Sequence, residues 1–561
     1  MANNNTKIFQ LGRLTATLGL SLIVMPALAQ QVPTVPVPNA GQLLQQDKTV
    51  QLPPKVSPSL QIAPITGATA AAGGGTVVLQ KVEFSGNTLF SGEQLNAVLG
   101  NVEGQAYDLA GLQALTQEIS AYHRAAGYPF VRVLIPEQQL ANGVLNIVVI
   151  EGRYGKVIAT GESGFTEAAQ DFLTPLTPGS VIESAQLERS TLILDDLPGI
   201  KTSSLLRPGQ EVGTGDLVVD IVPTPALKGE VGLDNHNNRY TGEYRARASL
   251  QWDSPFMVGD QITGASSVTN ESQWLGNLGY SLPLGSSGLR GYAGYAHTQY
   301  QLAKEFTNLD AIGSAQIASV GLSYPLIRSA QTNLAVAGNY QYKKLDDKQG
   351  ATGFHSTKNS HVAPLTLQFD RRDNLGGGGI TYGSVGYTLG DLDLDASAKL
   401  VDAMSANTQG SFNKLNLDAA RIQATPLDNV TLFGRVSAQW ADKNLDSSED
   451  FGLGGPYGVR AYPVGEGFGD QGWFTQLETR YQLGSFVPYA FYDAGRVRIN
   501  KNPWTVGDNS RALGGYGVGA RYNDQTITID ANLAWRAQGG QPTSDTRDRN
   551  PQLWVTTGFK F

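Results

Sequence analysis

The sequence predicts a membrane β-barrel of about 16 antiparallel strands preceded by two small α+β modules. Three observations carry that prediction. From residue 226 to residue 561, apolar and polar residues alternate with period two in run after run. Aromatics end the apolar faces, and Arg, Asp and Gln fill the opposite faces, as in a barrel with a lipid girdle and a polar interior. The N-terminus has the form of a secretory signal. After it, no stretch reaches the ~18 consecutive apolar residues of a membrane helix, so a membrane passage falls to closed strands.

From the N-terminus, Lys7 and Arg13 form a basic region ahead of an apolar stretch at 14–28. Ala27 and Ala29 flank Leu28 in a small-x-small cleavage pattern, so residues 1–29 read as a signal peptide. On its removal the formal charge of −8 loses two positive charges and becomes −10. That acidic balance argues against nucleic acid as a partner. Cysteine is absent, which removes disulfides, thiol catalysis and thiolate metal sites.

Residues 30–75 are rich in Pro and Gly and read as a linker. Within it, residues 39–47 can form about two helical turns with Asn39 as N-cap, a helix too short to be stable alone. Residues 76–152 read β-α-α-β-β. A strand at 77–84 is followed by a short helix at 91–99 and a longer one at 108–126 with Leu109, Leu112, Leu115, Ile119 and Tyr122 on one face. Asp108 caps the longer helix, Gly127 ends it, and strands follow at 131–135 and 144–150. Residues 153–225 repeat the pattern more weakly, with a helix at 187–197 and a strand at 217–222.

Residues 226–561 form the barrel. Sixteen runs begin near residues 228, 244, 260, 272, 289, 315, 331, 360, 379, 410, 429, 472, 486, 511, 525 and 551. The last run places Leu553, Val555, Phe559 and the terminal Phe561 on one face. A final aromatic on the lipid face is the usual assembly signal, so Phe559 and Phe561 are assigned that role. Modules and last strand then share one side of the membrane, which requires an even strand number.

Two segments carry the chemistry. Gly454, Gly455, Val459, Arg460, Ala461 and Tyr462 lie in a Gly-rich loop between the eleventh and twelfth runs, within an inward-folding loop at 446–471. Phe491, Asp493 and Gly495 form an aromatic-x-Asp-x-Gly pattern, so all three face inward, opposite Ala490, Tyr492 and Ala494. A lone carboxylate in a partly filled pore calls for a cation. Arg460 can supply a bidentate fork, making Arg460 and Asp493 a lumenal latch. The alternative is a surface arginine without a partner.

With these motifs the chain resembles the outer-membrane transporters of two-partner secretion, the hemolysin-activator and filamentous-hemagglutinin transporter family of the outer-membrane assembly superfamily. Tyr122, His123, Arg124, Gly127, Tyr128, Pro136, Gly143, Glu151 and Gly152 look like the family's first polypeptide-transport-associated (POTRA) domain. The family loop usually reads Val-Arg-Gly-Tyr or Val-Arg-Gly-Phe, and this chain has Ala461 at the glycine position, where an alanine disfavours positive φ. The resemblance implies that helix 39–47 can plug the pore, and that the barrel is placed in the outer membrane by the barrel-assembly machinery with the modules in the periplasm. It also implies export, as a monomer and without ATP, of an unfolded secreted partner, a large β-helical exoprotein. Each module offers a sheet edge and a groove where such a client could add a strand.

No phosphate-binding G-x-x-x-x-G-K-[S/T] loop occurs. Gly467 to Gly472 match G-x-G-x-x-G but precede a strand, so the dinucleotide reading fails its context. With no catalytic, metal or cofactor constellation in view, the expectation is a non-enzyme without cofactors. The runner-up function is a general outer-membrane protein assembly and insertion factor. A passive porin would lack the modules and the arginine loop.

Overall fold

The computed structural model describes residues 35–46, 61–62, 73, 75–162 and 164–561. The signal-peptide reading, with Ala27 and Ala29, lies outside the described residues. Helix α1 (Ala40–Gln46) falls where the linker pattern placed it, and Asn39 Oδ1 accepts from the Gln42 N–H at 3.0 Å. Strand β1 (Gln61–Ile62) also comes from the linker.

The first module contains β2 (Val77–Val78), β3 (Lys81–Ser85), α2 (Gly92–Leu99), β4 (Ala106–Tyr107), α3 (Leu109–Ala125), β5 (Arg132–Leu134) and β6 (Val144–Ile150). The strand expected at 77–84 is divided. Its first two residues pair with β4, and only β3 joins the sheet, parallel to β6. Ser91 and Gln94 form a reciprocal capping box on α2, and Asp108 caps α3 through the Gly111 N–H. Leu112, Leu115 and Ile119 bury one stripe of α3 against Val82, Leu145 and Ile147.

The second module contains β7 (Arg153–Gly161), α4 (Phe165–Leu173), α5 (Ser184–Asp195), β8 (Ile200–Pro208) and β9 (Thr214–Pro223). Its sheet runs β1-β8-β9-β7, so the linker strand β1 takes the β8 edge. The sequence pattern specified only α5 and part of β9. In β7 and β8 the buried positions are mixed with polar ones, which weakens their alternation.

The chain then forms β10 (Leu227–Asp234), β11 (Arg245–Asp253), β12 (Gln261–Thr269), β13 (Trp274–Pro283), β14 (Arg290–Gln301), β15 (Ala311–Arg328), β16 (Thr332–Gln349), β17 (Phe354–Asp373) and β18 (Gly379–Leu394). After α6 (Ala396–Ala403) come β19 (Gly410–Ala424), β20 (Val430–Ala441), the short β21 (Phe451–Gly452) and β22 (Phe468–Gly469), then β23 (Gln471–Tyr481), β24 (Phe486–Arg498), β25 (Ser510–Asn523), β26 (Ile527–Gln538) and β27 (Gln552–Lys560). All except β21 and β22 close into one antiparallel barrel of 16 strands. Closure is made by β10 against β27, from Glu230 opposite Lys560 to Asp234 opposite Thr556. The outer face carries Tyr244, Leu250, Trp252, Leu553, Phe559 and Phe561, all exposed as a lipid-facing surface requires.

The second module is tied to one end of this barrel. Arg328 forks onto Asp196 at 2.6 and 2.7 Å. Arg189 donates to the Tyr324 hydroxyl at 3.1 Å, the Ala330 N–H donates to Glu188 at 2.8 Å, and Ser254 donates to the Pro198 carbonyl at 2.7 Å. These contacts fall on the β11–β12 and β15–β16 turns and on the adjoining end of β15.

Candidate functional site

The loop between β20 and β23 turns into the lumen because its glycines permit close approach. A Cβ on Gly458 would lie 1.9 Å from the Leu453 carbonyl oxygen, and one on Gly454 would lie 2.4 Å from that of Pro463. Gly455 has φ of +106°, a conformation that L side chains rarely adopt. On the wall, a Cβ on Gly495 would come within 2.8 Å of the Leu453 side chain, so its absence lets the loop seat. Leu453, Val459, Ala461 and Tyr462 then form one buried cluster with Phe474, Tyr489 and Phe491.

That cluster surrounds Arg460 and Asp493, which are buried and meet. The Arg460 Nε donates to Asp493 Oδ2 at 2.9 Å and its Nη2 to Oδ1 at 2.7 Å, a bidentate fork. The Arg460 backbone N–H adds a third bond to Oδ2 at 3.1 Å. The guanidinium carbon lies 3.6 Å from the centre of the Phe491 ring. Phe491, Asp493 and Gly495 share the inner face of β24 while Tyr492 is exposed on the outer one.

Sequence reasoning missed the rest of this network. Glu478 on β23 accepts from Arg460 Nη1 at 2.6 Å and also from Arg480 and Arg521. Arg521 in turn reaches Asp530 at 2.7 Å, and Tyr489 donates to the same carboxylate at 2.7 Å. Three guanidiniums thus face three carboxylates; Arg460, Glu478 and Asp493 are buried, while Arg480, Arg521 and Asp530 are partly exposed. Trp554 on the closing strand β27 donates its indole N–H to the Arg460 carbonyl at 2.7 Å. The alternation along β23 could have shown that Glu478 points inward. That it lies beside Phe491 depends on strand register, which the local pattern does not contain.

Ala461 is not among the residues with positive φ. Its methyl fits because the wall opposite is Gly515, where a Cβ would lie 2.4 Å from that of Ala461. The Tyr462 hydroxyl donates to the Gln538 carbonyl at 2.7 Å, with the Gly540 carbonyl also within 3.0 Å.

Two further ion clusters hold the same loop. At its base, Glu449 lies between Lys343 at 2.5 Å and Lys414 at 2.8 Å, and Asp446 meets Lys358 at 2.6 Å. Burial alone would raise the Glu449 carboxyl; the two lysines outweigh it and pull the pKa down to about 2. On the returning limb, Glu466 accepts from Arg511 at 2.7 Å and from the Thr543 and Ser544 N–H groups, each at 2.8 Å.

Helix α1 packs between the loop base and the wall. The Ala40 N–H donates to Asp347 Oδ1 at 2.9 Å, Ser447 donates to Asn39 at 2.8 Å, and Gln45 bonds the Ser448 carbonyl. A Cβ on Gly41 would come within 2.4 Å of Ser447 Oγ and 2.6 Å of Ser448 N, so only glycine allows this seat. A cavity of about 470 Å³ remains, lined by Gln45 and Gln46 of α1, by Gln341, Thr366, Ser384 and Asn416 of the wall, by Val362 and Phe474, and by the loop glycines.

Comparison with known proteins shows which family shares this sequence and fold. Residues 213–522 match the model of the haemolysin secretion/activation protein ShlB/FhaC/HecB, and residues 77–152 match the ShlB-type POTRA domain. The heme/hemopexin transporter protein HuxB of Haemophilus influenzae is 26% identical over 484 residues, covering 83% of each chain. The outer membrane transporter CdiB of Dickeya dadantii is 24% identical over 520 residues, covering 88% of each. The solved structure of CdiB from Escherichia coli superposes with a TM-score of 0.73 at 19% identity, covering 89% of this chain and 93% of that one. The barrel is therefore a two-partner secretion pore of the outer membrane, with its POTRA region in the periplasm, and the chain belongs to the ShlB/FhaC/HecB haemolysin secretion/activation family.

Proposed function

We propose that this pore recognises one unfolded secreted protein through its periplasmic modules and passes it to the cell surface without ATP. The observation that carries the reading is a lumen filled by two unlike occupants, a deeply ion-paired loop and a seven-residue helix. The loop, latched by Arg460 and Asp493, is the fixed part. Helix α1 is the removable plug. The second α+β module, at 153–225, acts as a second POTRA domain beside the one at 77–152.

The relatives carry names such as heme/hemopexin transporter and hemolysin transporter. Those names support a secreted protein as client; the proposed client is a large exoprotein of the β-helical kind, whose folding outside gives the export its direction. The pore acts as a monomer and reaches the membrane through the barrel-assembly machinery, with Phe559 and Phe561 as the signal. The test is co-expression with a candidate exoprotein and measurement of its appearance in the medium. If deletion instead depletes many outer-membrane proteins, the chain is a general assembly factor.

A further inference from the structure

Three extracellular loops meet above helix α1. They are residues 235–244 between β10 and β11, 302–310 between β14 and β15, and 539–551 between β26 and β27. One guanidinium joins all three. Arg239 donates to Glu305 Oε1 at 2.5 Å, to Asp545 Oδ1 at 2.9 Å and to the Thr546 hydroxyl at 2.7 Å. The Thr546 hydroxyl donates onward to Glu305 at 2.6 Å. Beside this clasp, Glu243 receives Arg547 at 2.7 Å and also Arg549. The Ala303 N–H donates to the Tyr240 carbonyl at 2.8 Å, and the Thr546 N–H to the Tyr240 hydroxyl at 3.2 Å.

The underside of these loops is apolar and rests on the plug. Tyr240 and Phe306 are buried edge to face with ring centres 4.7 Å apart. They share one cluster with Leu302, Tyr300 and Leu345, and with Val35, Ala40 and Leu43 of the plug segment. Removing the plug takes away that packing and brings water to both rings. The cap would then rest on its ion pairs, partly exposed ones at Glu305 and Arg547, which salt and water weaken. The loop at 539–551 is also joined to the latched loop through Glu466, so the cap can open on one hinged side while staying anchored on the other.

We propose that the three loops form an exit gate clasped by Arg239, and that the plug helix holds the gate shut from beneath. Plug withdrawal and gate opening are then one coupled step. This deepens the secretion-pore reading and rests on it only for the nature of the cargo.

The absence of cysteine gives a clean test. Glu305→Cys and Asp545→Cys replace two carboxylates that meet the same Arg239 guanidinium from different loops and can be bridged by a short bifunctional methanethiosulfonate. In a Gly41→Val background whose raised conductance shows that the plug is displaced, the full-length protein is reconstituted in planar bilayers. The expected result is a several-fold fall in conductance on bridging, reversed by reductant. Conductance indifferent to bridging overturns the gate. A second variant, Arg239→Ala with the plug intact, should open several times more often than the parent; an unchanged opening frequency overturns the clasp. Neither arm uses a client. A pore that responds to bridging but fails the separate co-expression test would sink the proposed client and leave the gate standing.

Discussion

The loop tip and the plug helix occupy the same lumen but are held in opposite ways. At the tip, Arg460, Arg480 and Arg521 face Asp493, Glu478 and Asp530, and Arg460 and Asp493 are buried beside Phe491. Taking one partner away strands a buried charge, at a cost of roughly 3–5 kcal/mol. The plug is seven residues long, too short to be a stable helix by itself, and holds on through a few neutral or singly charged hydrogen bonds. A pore that must stay assembled and still open needs this division. On the proposed reading, the ion-paired contact is what stays and the lighter one is what moves.

The largest way to break the comparison is Arg460→Ala. It should abolish client export while the barrel still assembles, measured as secreted client against heat-modifiable folded barrel. Unimpaired export would sink the latch. Next is Gly41→Val, whose side chain collides with Ser447 and Ser448. It should expel the plug and raise single-channel conductance several-fold with the tip undisturbed; an unchanged conductance would mean that α1 does not block the pore. A smaller effect is expected at the Ala461 seat. Gly515→Ala should impair export and lower thermal stability by roughly 1–3 kcal/mol through overpacking, and adding Ala461→Gly should restore both. Failure of that rescue would contradict the fit of the two residues.

The smallest effect concerns acid. The Glu449 carboxyl is lowered to about 2, so its contribution is complete above the ordinary glutamate value of 4.5 and disappears only as the pH falls towards 2. Glu243 at the cap is also lowered: burial would raise it, but Arg549 and Arg547 outweigh that. Between neutral pH and 4.5, conductance should therefore stay constant. A transition within that window would show that neither carboxylate pair governs opening.

The barrel was legible in the sequence because the period-two alternation is local. Sixteen runs were expected and sixteen strands close the barrel. The first module was legible through the stripe on α3 and its Asp108 cap, whereas β7, α4 and β8 were not, since their burial depends on each other more than on their own pattern. At the site, Arg460 and Asp493 could be paired from chemistry alone, one cation seeking one anion. Glu478 and Trp554 could not, because their proximity comes from register between β23 and β24 and from barrel closure at β27. The cap was equally hidden: Arg239, Glu305 and Asp545 lie in loops far apart in the chain, and only the closed barrel brings them together.

Single cysteines in this cysteine-free chain test the central claim most directly. Leu43→Cys on the plug and Val459→Cys at the loop tip, both buried at rest, are probed with a membrane-impermeant maleimide during active export and without client. The account predicts that position 43 becomes reactive only during export and that position 459 stays protected throughout. Reaction at 459 during export would mean that the latch opens, and would contradict it.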